Sequence, residues 1–137
     1  MKKTVTVVAF KKNKVLLVEH LDDSDHPNGT CGLPGGRPEG NEEDIDAAKR
    51  EFKQETGMKV VKEDLEKLPT TYKATISRKN RKSQEMVMEV FYAKKYTGTL
   101  KESTETRPKW VLIRQVGSLP LLPNVLNAIK EAFALYC

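Results

Sequence analysis

Glu51 and Glu55 stand four residues apart in a segment that reads as helix. One helical turn then puts both carboxylates on the same face, with roughly 5–6 Å between their Cβ atoms. Advancing about 100° per residue sets Glu55 beside an apolar stripe of Ile45, Ala48 and Phe52, and Glu51 on its shoulder. Both acids therefore belong at the border between core and solvent. Two like charges held there repel unless a cation lies between them. A hard dication such as Mg²⁺ takes carboxylate oxygens and keeps positions for water and phosphate. On their own, two such glutamates are more often a plain solvated acidic face.

The surrounding residues change that balance. From Gly36 the chain runs five residues to Glu42, then seven to Arg50-Glu51-Phe52, Lys53, Gln54-Glu55, Thr56 and Gly57-Met58. This resembles the Nudix box: Gly, five residues, Glu, seven residues, Arg-Glu, an apolar residue, any residue, Glu-Glu, any residue, Gly, an apolar residue. Eight of the nine specified positions match, over 23 residues with fixed gaps. Leu33-Pro34-Gly35-Gly36 is similar to the family's usual lead-in, and Glu39 falls where that family places an acid.

The resemblance implies a loop-helix-loop that binds divalent cations, Mg²⁺ or Mn²⁺ in its place. It also implies hydrolysis of a nucleoside diphosphate linked to another group. By resemblance Glu51 and Glu55 are the principal metal ligands and the Gly36 carbonyl is another. Arg50 holds a glutamate, Glu42 braces the loop, and Gly35 and Gly57 serve the turns. Gln54 departs from the pattern, standing where the family has the first glutamate of a pair. Its neutral carbonyl oxygen ligates weakly at best. An outer cation is then weakened or lost, and a nucleotide-binding module with reduced or lost activity stays open as the alternative. The family's general base comes from the box or from a later loop, where Glu102 and Glu105 are the candidates.

The elements that must position this site follow from periodicity. Residues 4–10 alternate and are rich in valine, so they read as a strand. Residues 11–13 turn the chain, and 14–19 form a hairpin partner. Residues 21–30 are polar and read as a loop, and 31–33 as a short strand. The spacing predicts a helix with Asn41 as N-cap, Glu42, Glu43 and Asp44 in its first turn, and Gly57 as its stop. Strands follow at 72–77, 86–92 and 110–113. A last helix past Pro123 has Val125, Leu126, Ile129, Phe133 and Leu135 as its apolar positions. The order implies an α/β fold: by resemblance, a Nudix-type α/β/α sandwich with a mixed sheet, one domain over residues 1–137.

The 137 residues suffice to bury a core without a disulfide or structural metal. Cys31 and Cys137 make no disulfide framework, so both thiols read as free and the compartment as reducing and cytoplasmic. No stretch approaches the roughly 18 apolar residues of a membrane span. A net charge of +5 suits a polyanionic ligand without requiring one. The run Arg78-Lys79-Asn80-Arg81-Lys82 reads as a solvated hairpin loop, with an RNA 5′ end as the less favoured partner. A small nucleotide is the favoured substrate. His20 and His26 read as ordinary surface or loop residues, Glu85 and Glu89 as facing solvent, and Phe91 and Trp110 as core.

Overall fold

A computed structural model of the protein describes residues 2–77, 79–80 and 82–137. The basic run thus lies partly outside the described residues, at Arg78 and Arg81. In chain order the elements are β1 (Lys2–Val8), β2 (Phe10–Lys11), β3 (Lys14–His20), β4 (Cys31–Gly32), β5 (Gly35–Gly36) and α1 (Asp44–Thr56). These are followed by β6 (Leu65–Ser77), β7 (Ser83–Ala93), β8 (Thr106–Leu112) and α2 (Val125–Tyr136). Short 3-10 turns occupy Lys62–Asp64 and Ile113–Ser118.

One sheet has the order β5-β1-β7-β6, with β1 parallel to β7 and the other pairs antiparallel. In the second, β3 pairs antiparallel with β2, β4 and β8. Alternation along the strands sends side chains to two cores. Val5, Val7 and Leu16 pack with Ala47, Ala48 and Phe52 of α1. Val8, Val15 and Leu17 pack with Val125, Ala128, Ile129 and Ala132 of α2. Helices therefore cover opposite faces of the strands, as the sandwich expectation requires. Burying Phe52 completely contributes about 1.5–3 kcal/mol.

Several expectations need correction. The strand foreseen at 4–10 is two strands: the chain leaves the first sheet after Val8 and enters the second at Phe10. The hairpin partner of β3 is therefore β2, through a turn with Lys12 at φ 57°. The helix cap is Glu43, not Asn41, and it makes no side-chain capping bond. Residues up to Glu42 are held in a turn instead, where the Glu42 N–H donates to the Glu39 carbonyl (2.9 Å). The foreseen stop is correct: Gly57 lies at φ 82° and donates its N–H to the Lys53 carbonyl, a left-handed cap that suits glycine. Strand β6 starts earlier than foreseen, and Ile113 already belongs to the turn after β8. On α2, Phe133 and Leu135 are about half exposed, and Ala128 and Ala132 take the inner face with Val125 and Ile129. No helix among the described residues is long and apolar enough to cross a membrane.

Candidate active site

Strand β5 is only two residues long, yet it fixes the site. Val5 pairs with Gly36 and Thr6 with Gly35. A Cβ on Gly35 would lie 2.1 Å from the Val5 carbonyl oxygen and 2.8 Å from Thr6 Cα. A Cβ on Gly36 would lie 2.5 Å from the Glu51 carboxyl carbon and 2.6 Å from both its oxygens. The two glycines therefore serve close approach, one to strand backbone and one to the Glu51 carboxylate. The Gly36 carbonyl accepts the Thr4 hydroxyl (3.1 Å).

Helix α1 delivers the acids to this edge. Glu55 Oε1 accepts the Gly35 N–H at 2.8 Å. Burial pushes the Glu55 carboxyl up to about 8, the Gly35 N–H opposes that, and the charges of Glu51 and Glu105 reinforce it. Burial also raises Glu51, against the pull of the Arg50 guanidinium 2.7 Å from its Oε1. Arg50 is a hub. Its Nε and Nη2 grip both Glu42 oxygens at 2.9 Å, Nη2 also donates to the Arg37 carbonyl (3.1 Å), and Nη1 donates to Gln54 Oε1 (3.1 Å). Glu39 lies 3.6 Å from Nη1. Glu42 in turn accepts the Glu39 N–H (3.0 Å), and the Arg50 bonds hold its carboxyl below the ordinary range. These charge-assisted bonds tie the loop at 37–42 to the helix.

A cleft of about 400 Å³ opens beside the glycines. Glu51, Glu55 and Glu105 line it together, while Glu102 lies outside it and pairs with Arg107 Nε (2.5 Å). Of the two loop acids, Glu105 is thus the one brought to the site. Gln54 is exposed and takes the Arg50 bond. Among the described residues no three His, Cys, Asp or Glu side chains form a ready metal cluster. The oxygen donors at this edge are the two carboxylates and the Gly36 backbone.

Other expectations fall differently. His20 is buried, not a surface residue. It pairs with Thr106 across β3 and β8, its Nδ1 lies 2.7 Å from Ser24 Oγ, and its ring centroid is 4.5 Å from that of His26. Both histidines line the cleft. Glu89 is also buried: Thr71 donates to Oε1 (2.5 Å) and the Lys67 ammonium is 2.5 Å from Oε2. Burial works against its ionisation, but the Lys67 and Thr71 bonds outweigh it and lower its pKa. Glu85 is exposed as expected, Phe91 is core, and Trp110 packs against that core from a partly exposed position. Cleft residues not foreseen include Thr4, Thr6, Arg37, Met86 and Met88. The alternation of β1 carried the signal for the two threonines.

The sequence profile described as NUDIX domain matches residues 1–134. No curated protein matches significantly. Among solved structures, the NUDIX domain of Shewanella oneidensis NrtR, complexed with ADP ribose, superposes with a TM-score of 0.78 at 23% identity, over 100% of this chain and 89% of that one. The MutT protein from Methanosarcina mazei Go1 gives 0.76 at 21%, over 98% and 93%. The mutator MutT protein from Bacillus halodurans gives 0.74 at 24%, over 100% and 84%.

Proposed function

The chain belongs to the NUDIX domain family and is a pyrophosphohydrolase of that type, and we propose that it cleaves a diphosphate linkage in a nucleoside diphosphate joined to another group, with a divalent cation. One observation carries the reading. The carboxylates of Glu51 and Glu55 meet at the Gly35–Gly36 edge of a cleft, and Glu55 has no ion-pair partner among the described residues. Burial without a compensating cation is why its carboxyl holds a proton so tightly. Glu51, Glu55 and the Gly36 carbonyl form a hard oxygen set that fits Mg²⁺ or Mn²⁺. When bound there, such a cation supplies charge neutralisation at the phosphate oxygens and orientation of the water.

The chain's own groups do the rest. Arg50 holds Glu51 in position and locks Glu42 and its loop to the helix. The Gly35 N–H orients Glu55. Glu105, lining the same cleft, accepts the proton of the attacking water. That water forms a bond to one phosphorus, the bridging P–O bond breaks, and two phosphate-bearing products leave. Gln54 offers no charge, so fewer cations bind than a glutamate pair would hold. Substrates are nucleoside triphosphates, dinucleoside polyphosphates or nucleotide sugars. The ADP ribose bound by the Shewanella domain supports a ligand of that kind and size. The unpaired thiols of Cys31 and Cys137 suit a reducing, cytoplasmic setting, and the whole of 1–137 acts as one domain.

A nucleotide-binding role with little turnover is the second reading, favoured by the engagement of Gln54 with Arg50. Hydrolysis assayed over a nucleotide panel, with and without Mg²⁺ or Mn²⁺, separates the two. Glu55→Gln is expected to lower turnover by more than the roughly 10–100-fold typical of an outer partner of a metal ligand. Unchanged turnover would remove Glu55 from the site.

A further inference from the structure

Among the described residues of the site, Arg37 is the cation that no acid neutralises. Arg50 is engaged by Glu42 and Glu51. The Arg37 side chain is exposed and donates from Nη2 to the neutral amide oxygen of Gln84. It forms no ion pair, although Asp25 stands nearby. A guanidinium keeps its charge throughout the physiological range and matches phosphate oxygens with a planar fork of donors. The bond to Gln84 aims that fork and leaves most of its N–H groups for a ligand.

Position separates this cation from the carboxylates. Gly36 is opposite Val5, while Met86 is opposite Lys2. Gln84 therefore lies past the start of β1, away from the edge where Glu51 and Glu55 meet. There Arg37 lines both the cleft and a second hollow of about 330 Å³, which it shares with Asp25, Lys79, Asn80 and Gln84. The walls of this hollow are tied together. The Lys79 N–H donates to the Asp25 carbonyl (3.1 Å), and the Lys79 ammonium to the carbonyls of Leu21 and Asp22. Asn80 Oδ1 accepts the Lys82 N–H (3.0 Å), which leaves the Asn80 NH₂ group as a further donor at the hollow. An uncompensated guanidinium beside an amide donor suits a phosphate better than a neutral or apolar group. Resting on the reading above, we propose that the Arg37–Asn80 hollow is a subsite for a further phosphate of the substrate, outside the diphosphate that is cleaved, with Gln84 as the positioning residue for Arg37. Such a phosphate is either the third in a chain or one carried on the ribose.

Calorimetry on the full chain with Mg²⁺ tests this, with two pairs of ligands. One pair is the all-methylene analogues of ADP and ATP, whose P–C–P links cannot be hydrolysed. The other is AMP and adenosine 3′,5′-bisphosphate. In the wild type the added phosphate of at least one pair should tighten binding about tenfold or more. Arg37→Gln should remove that gain and leave the shorter ligand unchanged, and Arg37→Lys should recover part of it. Gln84→Glu separates a subsite from a purely structural clasp. An ion pair to Arg37 keeps the clasp, so the melting temperature should hold or rise, yet it neutralises the guanidinium, so the gain should fall. In an Arg37→Gln background Gln84→Glu should change binding little. No gain from either added phosphate in the wild type, or a gain that survives Arg37→Gln or Gln84→Glu, would overturn the proposal. The reading of Glu51 and Glu55 fails separately: it falls if the ADP analogue binds equally well without Mg²⁺, whatever Arg37 does.

Discussion

At the residue scale, Glu55 carries the clearest pH signature. Its carboxyl rises from an ordinary 4.5 to about 8 in the folded chain. The native state therefore binds this proton more tightly than the unfolded state does. The resulting stabilisation is complete below about 4.5 and is lost as pH rises through about 8. Thermal melts of the metal-free protein across that window should show a declining midpoint, and Glu55→Gln should flatten the decline. Mg²⁺ should raise the midpoint most at the upper end, because the cation must displace the proton. A midpoint indifferent to Mg²⁺ at every pH would count against the carboxylate pair as a cation site. Gln54 makes a second case. A glutamate there competes with Glu51 for Arg50 and adds negative charge beside the cleft. Gln54→Glu should raise Mg²⁺ affinity or turnover about fivefold, the effect of roughly 1 kcal/mol. A magnesium titration that does not move would put residue 54 beyond the cation's reach.

At the scale of elements, the adjacent glycines should fail in different ways. The nearest atoms to an alanine methyl at Gly36 belong to the far end of a side chain, the Glu51 carboxylate. Gly36→Ala should fold and lose turnover. At Gly35 the added methyl meets the backbone of β1, so Gly35→Ala should cost about 1–3 kcal/mol in urea melts. Helix α1 and its acids were legible because a helical period and fixed gaps both point to them. The first half of β6 was not. Pro69 falls in the stretch between Lys67 and Thr71 where the register with β7 shifts, and a proline at a bulge hides a strand from pattern reading. The cap was misplaced because Asn41 has the side chain a cap prefers, while Glu42 is needed outside the helix for Arg50. His20 was missed because the polar residues after it suggested a loop. It is the last residue of β3, two after Val18, and one more step of the alternation would have placed it inside. Glu89 likewise shares a face with Val87 and Phe91, and its charge masked that position.

For the whole molecule, the net charge of +5 and the charge of the cleft's described lining have opposite signs. Among the described residues, Glu51, Glu55, Glu105 and Asp25 line the cleft, with Arg37 as the one lysine or arginine of that lining. On the proposed reading, an anionic substrate is drawn in by a cation in the site rather than by overall charge. Nor is the basic loop a free phosphate-binding surface at Lys79, whose ammonium donates to the carbonyls of Leu21 (3.3 Å) and Asp22 (2.7 Å). Binding of 5′-triphosphorylated RNA should show a log–log salt slope no steeper than about 1.4, roughly two phosphates' worth. A steeper slope would favour an RNA end as the ligand.

The parallel pairing of β1 with β7 has a consequence for synthesis. Strand β1 leaves the ribosome long before its partners Met86 to Tyr92 of β7. Until then this valine-rich segment has one long unsatisfied edge, and so does the cleft wall it will form. Every acid of the box, from Glu42 to Glu55, is made before β6 and β7, when only the two-residue β5 is available to pair with β1. Folding must wait for a distant closure, which is slow and leaves a sticky intermediate. Stalled or truncated products ending before β7 should aggregate rather than accumulate as partly active fragments.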